Sequence, residues 1–172
     1  MHRTSSVRAA RDDDLAAIAA VINAAAAAYR RVIPADCWRS PYMRDDELAA
    51  EIAAGVKFSV IDDEAGIVAV MGSQSRGDVV LIRHAYVVPS AQRRGHGTRL
   101  LQSLLASADH PVLIGTWAAA RWAIDFYRRH GFRVIDGVAK DRLLMRYWTV
   151  PPRQVEASVV LADRRYAGTT LM

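Results

Sequence analysis

The change in the pattern of hydrophobicity at Pro89, from consecutive strands to alternating strands and helices, limits the fold more than any other feature. Before it, three extended runs (residues 56–62, 66–74 and 79–88) follow one another through the short turns Asp62-Asp63-Glu64-Ala65-Gly66 and Ser75-Arg76-Gly77-Asp78. Strands joined by so few residues are antiparallel neighbours, because a parallel pair needs a long crossover. After Pro89, helical and extended patterns alternate. A Gly/Arg loop occupies 89–97. A helix over 98–108 puts Leu100, Leu101, Leu104 and Leu105 on one side. A buried strand follows over 111–117, then a helix over 118–130 closed by Gly131, and a strand over 132–135. A helix over 138–148 and a last strand over 155–162 complete the series. The order predicts a mixed α/β unit: a mostly antiparallel sheet flanked by helices.

The N-terminal part fits the same plan. Residues 6–10 can form a first strand, and Asp12-Asp13-Asp14 offers an N-cap and negative charge to a following helix. In that helix Leu15, Ile18, Ile22 and Tyr29 fall near helical spacing. Its apolar run, 15–29, is mostly alanine and is interrupted by Asn23; a bilayer span needs about 20 strongly apolar residues. Ile33-Pro34 ends it, a linker with Trp38, Pro41 and Tyr42 follows, and a short helix over 45–54 stops at Gly55. The chain of 172 residues is 52% hydrophobic and 24% charged, which suits one globular domain over 1–172. The single cysteine, Cys37, excludes an intrachain disulfide or a multi-cysteine zinc site, and reads as an inert thiol. The first residues lead into charges rather than an apolar run, so the expected location is the cytoplasm.

The net charge is +5 and the isoelectric point is near 9.8. That excess favours anionic ligands, and is equally what a solvated surface carries. The basic residues are scattered, with no basic–aromatic tract or helix-turn-helix pattern, so a nucleic-acid-binding domain ranks low.

The informative segment runs Val87-Val88-Pro89-Ser90-Ala91-Gln92-Arg93-Arg94-Gly95-His96-Gly97-Thr98. A strand ends at proline, two arginines sit in the loop, and two glycines open a helix. The first amides of a helix have no internal acceptor and can point at an anion, so this arrangement suits a pyrophosphate. Glycine lets the backbone approach where a Cβ would intrude. No Gly-Lys pair follows, which sets aside a Walker loop. Leu100 stands where a dinucleotide fingerprint needs its third glycine.

A second segment, Trp122-Ala123-Ile124-Asp125-Phe126-Tyr127-Arg128-Arg129-His130-Gly131-Phe132, extends the pattern. With both segments in hand the sequence resembles the GCN5-related N-acetyltransferase (GNAT) superfamily. The family's acetyl-CoA loop Q/R-x-x-G-x-G/A is matched by Gln92, Gly95 and Gly97, its V-x-P by Val87-Val88-Pro89, and its A-x-x-[FL]-Y-x-x-x-G-F by Ala123, Phe126, Tyr127, Gly131 and Phe132. The motif resemblance covers 79–135. It implies a V-shaped sheet in which the strand at 79–88 splays from that at 111–117, with the pantetheine arm of CoA in the gap. Val87 and Val88 would pair with the pantetheine amides. The backbone from Arg93 through Arg94, Gly95, His96 and Gly97 to Thr98 would hold the pyrophosphate, with His96 a loop residue near phosphate.

The resemblance also implies direct attack of an amine on the acetyl thioester. Tyr127, protonated at neutral pH, is the candidate acid for the departing thiolate, against the plainer reading of a core aromatic. A backbone N–H near Val87 is the candidate oxyanion donor. His84 is the candidate base, set against a structural histidine or no dedicated base at all. Strict alternation puts Leu81, Arg83, Ala85 and Val87 on one face and His84 and Tyr86 on the other, away from the family's usual base position; a bulge at the splay point could re-aim His84. Ala120 stands where the family often has an asparagine against pantetheine. Trp117, Trp122, Trp38 and Tyr42 read as core aromatics. Arg39 could meet an acceptor carboxylate. The block 147–154 could cover the acceptor cleft or pair with a second copy, a homodimer being the family analogy. The expected function is an acetyl-CoA-dependent N-acetyltransferase, without metal and with an unidentified small-molecule or peptide amine as acceptor. The alternative is a catalytically silent acyl-CoA-binding module.

Overall fold

The computed structural model describes residues 6–168. In chain order they form β1 (Val7–Ala9), α1 (Leu15–Ala26), α2 (Asp45–Ala53), β2 (Lys57–Asp63), β3 (Gly66–Arg76), β4 (Val79–Val87), α3 (His96–Ser107), β5 (Val112–Trp117), α4 (Arg121–Arg129), β6 (Arg133–Ile135), α5 (Gly137–Tyr147), α6 (Pro152–Glu156) and β7 (Ser158–Ala162). The sheet runs β1-β2-β3-β4-β5-β7-β6. Every neighbouring pair is antiparallel except β4 with β5. The expected mixed, mostly antiparallel sheet is therefore observed. The last strand inserts between β5 and β6, a placement the sequence pattern did not anticipate.

Three local differences have physical reasons. Asp12–Asp14 form a 3-10 turn that leads into α1 with Asp14 at the N-cap position, but no side chain there caps the helix. Asp14 instead pairs with Arg8 at 2.7 Å, and Arg8 reaches Asp62 at 2.5 Å, tying β1, the start of α1 and β2 together. The helix expected from 118 begins at Arg121, because Ala118 donates its amide to Ala157 at 2.8 Å and so prolongs the sheet edge. The strand expected from 155 begins at Ser158, because Pro152 sits at the first position of α6, where its missing N–H costs nothing.

Helices cover both faces. On one, α3 and α4 bring Leu100, Leu101, Ile124 and Tyr127 onto Val80, Ile82, Val112 and Ile114. On the other, α1 and α2 lay Ile18, Ile22 and Leu48 over Phe58, Val60 and Val70, while α5 packs Leu143 and Leu144 against Leu81, Leu113 and Val160. Each such fully buried aliphatic side chain is worth roughly 2 kcal/mol of apolar burial.

The feature that positions everything below lies in the middle of the sheet. β4 and β5 are in register at Val80–Val112, Leu81–Leu113 and Ile82–Ile114 only. Past that point β4 stays with β3 as far as Val87, and β5 stays with β7 as far as Trp117. Each strand follows its other neighbour, and a V opens between them. At the same point the β3–β4 register jumps from Val70–Tyr86 to Gly72–Arg83. β4 spends three steps where β3 spends two, and His84 takes up the extra residue with φ 53°. This bulge overturns the strict alternation expected for β4. Ala85 and Val87 pack with the α3–α4 core, whereas Arg83 and His84 both turn to α2. Gly72 allows the close approach opposite the bulge, since a Cβ there would lie 2.6 Å from the Arg83 carbonyl oxygen.

Candidate active site

Beyond β4 the chain turns sharply. Val88 donates to the Val68 carbonyl at 2.9 Å, Pro89–Ala91 form a 3-10 turn, and the Gln92 side-chain amide donates back to the Val87 carbonyl at 3.2 Å. Gln92 thus locks the end of the strand to the start of the loop. Gly95 caps α3 with φ 79°, a left-handed conformation that costs glycine nothing. The first bond into the helix runs from Arg99 to the Gly95 carbonyl at 3.0 Å. The amides of His96, Gly97 and Thr98 therefore lack intrahelical acceptors. Arg93 and Arg94 are exposed beside them. Gly97 rests against Phe126 of α4.

The His96 ring is buried, and its Nδ1 has no hydrogen-bond partner among the described residues. Burial, with the positive charges of Arg99 and Arg94, pushes its pKa below the ordinary histidine value against a smaller pull from Asp63. What His96 offers the open side of the loop is its backbone.

The V encloses a cavity of about 150 Å³ between Ile82–Tyr86 and Ile114–Trp117, with Tyr127 and Trp148 on its walls. It adjoins two others. One, of about 190 Å³, lies between α1 and α4 and reaches Val87, Gln92, Gly97 and Phe126 at the loop. It shares Tyr29, Ala85, Tyr86, Ala123 and Tyr127 with the V. The other, of about 460 Å³, shares Tyr42, Arg83, His84 and Trp117 with the V, and is walled by charged side chains. The V therefore has a loop side and a charged side.

Tyr127 stands on the loop side. It is 4% exposed, with its ring edge-on to Phe126 at 5.1 Å and Phe132 at 5.4 Å. Burial first, and the neighbouring Tyr29 second, hold its phenol far above its ordinary pKa, so it keeps its proton. Tyr29, Tyr42 and Tyr86 cluster nearby, with centroids 5.8 Å (Tyr29–Tyr42) and 6.2 Å (Tyr29–Tyr86) apart. Burial pushes the Tyr29 phenol up to about 12 and raises the other two. The Trp117 indole donates to the Tyr42 hydroxyl at 2.9 Å.

His84 stands where the V meets the charged side. Its Nε2 lies 2.5 Å from Glu51 Oε2, and Arg83 reaches the same carboxylate oxygen at 3.3 Å. Arg83 is steadied by Gln74 at 3.0 Å, which in turn donates to the Ala54 carbonyl. Burial is the largest influence on Glu51 and raises its pKa. The His84 hydrogen bond with the charges of His84, Arg83 and Arg39 outweighs it, so the carboxyl sits below its ordinary value. An ionised carboxylate only accepts, so the ring proton in this contact belongs to Nε2 and a neutral His84 keeps Nδ1 as its acceptor.

Glu51 was not visible from sequence. It is 33 positions from His84, and its only local signal is its place one helical turn after Glu47. Tyr29, expected on the core side of the first helix, lies in a 3-10 turn just past α1, and its place at the V depends on the strand splay. Among the aromatics expected in the core, Trp117 is buried, Trp38 and Tyr42 are half-buried, and Trp122 is 47% exposed, stacked on Tyr29 at 5.6 Å. Ala120 is buried against Trp117 and Ala26 and makes no polar side-chain contact. Cys37 is half-buried in the wall of the charged cavity, which Thr149–Pro151, Arg153 and Gln154 of the C-terminal block also line. Among the described residues there is no group of three or more His, Cys, Asp or Glu side chains that could hold a metal ion, and no helix long and apolar enough to cross a membrane.

Residues 13–143 match the family model of the acetyltransferase (GNAT) domain. No curated protein matches the sequence. Solved structures similar in fold include the ribosomal-protein-S18-alanine N-acetyltransferase of Escherichia coli, at 16% identity over 98% of this chain and 99% of that one, with a TM-score of 0.66. The PaiA N-acetyltransferase of Thermoplasma acidophilum in complex with coenzyme A is 12% identical over 93% of this chain and 98% of that one, TM-score 0.68. The N-acetylglutamate synthase of Neisseria gonorrhoeae complexed with coenzyme A and N-acetyl-glutamate is 18% identical over 96% of this chain and 36% of that one, TM-score 0.64. Strands that part beside a glycine-opened helix, with the matched domain spanning well over half the chain, place this protein in the GNAT acetyltransferase family.

Proposed function

We propose that the protein transfers an acetyl group from acetyl-CoA to a primary amine by direct attack. The observation that carries this reading is the continuity of three features: amides without intrahelical acceptors at the start of α3, the V between β4 and β5 with Tyr127 on its wall, and the charged cavity beyond His84. The residues fit the co-substrate. The backbone of Arg93–Thr98, opened by Gly95 and flanked by Arg93 and Arg94, would hold the pyrophosphate. Val87 and Val88 lie where the strand edge would meet the pantetheine. Acetyl-CoA supplies an activated thioester.

The chain's own groups divide the remaining work. His84, held by Glu51, takes the proton the amine must lose. A β4 amide freed by the splay, near Val87, faces the developing oxyanion. Tyr127 gives its proton to the sulfur as the C–S bond breaks and the C–N bond forms. The products are an amide and free CoA thiol. A phenol with a raised pKa is a weak acid, but the same dry surroundings that raise it also make a thiolate a stronger base, so the transfer stays feasible.

The test is thiol release from acetyl-CoA over a panel of amines. Release that depends on both acetyl-CoA and an amine is the expected result. Tight acetyl-CoA binding with no release for any amine would support the silent acyl-CoA-binding module instead.

A further inference from the structure

The charged cavity carries information on which amine is taken. Its walls hold three arginines (Arg39, Arg83 and Arg153) and three carboxylates (Asp36, Glu47 and Glu51). They are cross-paired: Arg39 with Glu47 at 2.6 Å, Arg153 with Asp36 at 2.8 Å, and Arg83 with Glu51. In a chain of net charge +5, this cavity is locally balanced. A balanced wall repels part of any ligand that carries one sign of charge only.

The arrangement is also directional. Glu47 and Glu51 lie on one face of α2, one turn or about 6 Å apart. Glu51 holds His84, and Arg39 sits on Glu47 near enough for its charge to act on Glu51. An amine presented to His84 therefore has a guanidinium about one helical turn away. The Arg39 side chain is 55% exposed and its partner 31%, so the pair is weakly held and can be exchanged for another carboxylate. The planar guanidinium fork suits such a partner.

We propose that the acceptor is a compact amine that carries its own carboxylate, a free amino acid, and that Arg39 is the residue that contacts that carboxylate. This rests on the acetyltransferase reading above. A polyamine or lysine-rich chain would bring further positive charge against Arg39, Arg83 and Arg153. A peptide N-terminus has no carboxylate beside its amine.

The experiment measures thiol release with saturating acetyl-CoA for the twenty amino acids, for decarboxylated counterparts such as phenethylamine and isoamylamine, for spermidine and for a lysine-rich peptide. At least one amino acid is expected to exceed its decarboxylated counterpart about tenfold or more in kcat/KM. Arg39→Gln should collapse that ratio to near one, through KM. Glu47→Gln, which frees the guanidinium, should lower KM for the amino acid, and this opposite direction separates recognition from damage to the fold. Preference for spermidine, the peptide or a decarboxylated amine over every amino acid overturns the proposal. So does an Arg39→Gln enzyme that keeps the wild-type ratio. Silence with every acceptor is a different result: it overturns the transferase reading, and this inference falls with it.

Discussion

Replacing Tyr127 with phenylalanine is expected to lower kcat for acetyl transfer by about 10²–10³-fold, the usual worth of a positioned acid, while acetyl-CoA affinity changes little. The substitution removes one oxygen and keeps the ring that packs on Phe126 and Phe132, so the core stays filled. The pH dependence has a definite sign. Burial favours the neutral phenol, so the proton-bearing form persists above the ordinary phenol value of about 10. Tyr127 should therefore impose no alkaline fall in rate up to about pH 10. Steady-state rates beside calorimetric acetyl-CoA binding decide the matter. An unchanged kcat would remove Tyr127 from the chemistry and leave it as a core aromatic.

The second large effect is expected at the bulge. His84→Gln should lower kcat/KM for the amine by about 10²-fold with acetyl-CoA binding retained. Among the described residues the Glu51 carboxylate pairs with His84 and Arg83, so its expected part is that of a positioning residue. Glu51→Gln should cost about tenfold, mainly in kcat, and Glu51→Asp should recover part of the loss. A direct signature accompanies the rates. Ring-nitrogen NMR of the wild type should show the neutral His84 protonated at Nε2, and Glu51→Gln should give a tautomer mixture. Full activity in both variants, or an Nδ1-protonated ring in the wild type, would contradict the assigned roles.

How far the sequence revealed this site varied by element. The loop was legible because its signals are local: proline ends β4, Gly95 supplies a left-handed cap, and the leucines of α3 fall on one side. Tyr127 was legible because it belongs to a compact segment of one helix. The bulge was at most one option in the sequence, since strict alternation puts Arg83 and His84 on opposite faces, and the register jump opposite Gly72 brings both to α2. Glu51 was hidden for a related reason: two distant segments meet only after β4 is re-aimed towards α2. Likewise, the hydrophobicity of residues 158–162 marks a strand without saying that it will lie between β5 and β6. Short-range stereochemistry is written into neighbouring residues, whereas strand order and side-chain convergence depend on the assembled core.

The whole reading depends on one placement, the diphosphate on the α3 amides and the acyl-sulfur end in the V. A crystal structure grown with acetyl-CoA tests it most directly. Density is expected along β4 from the His96–Thr98 amides to the gap beside Tyr127. Density for the nucleotide anywhere else, or an empty turn at saturating acetyl-CoA, would contradict it.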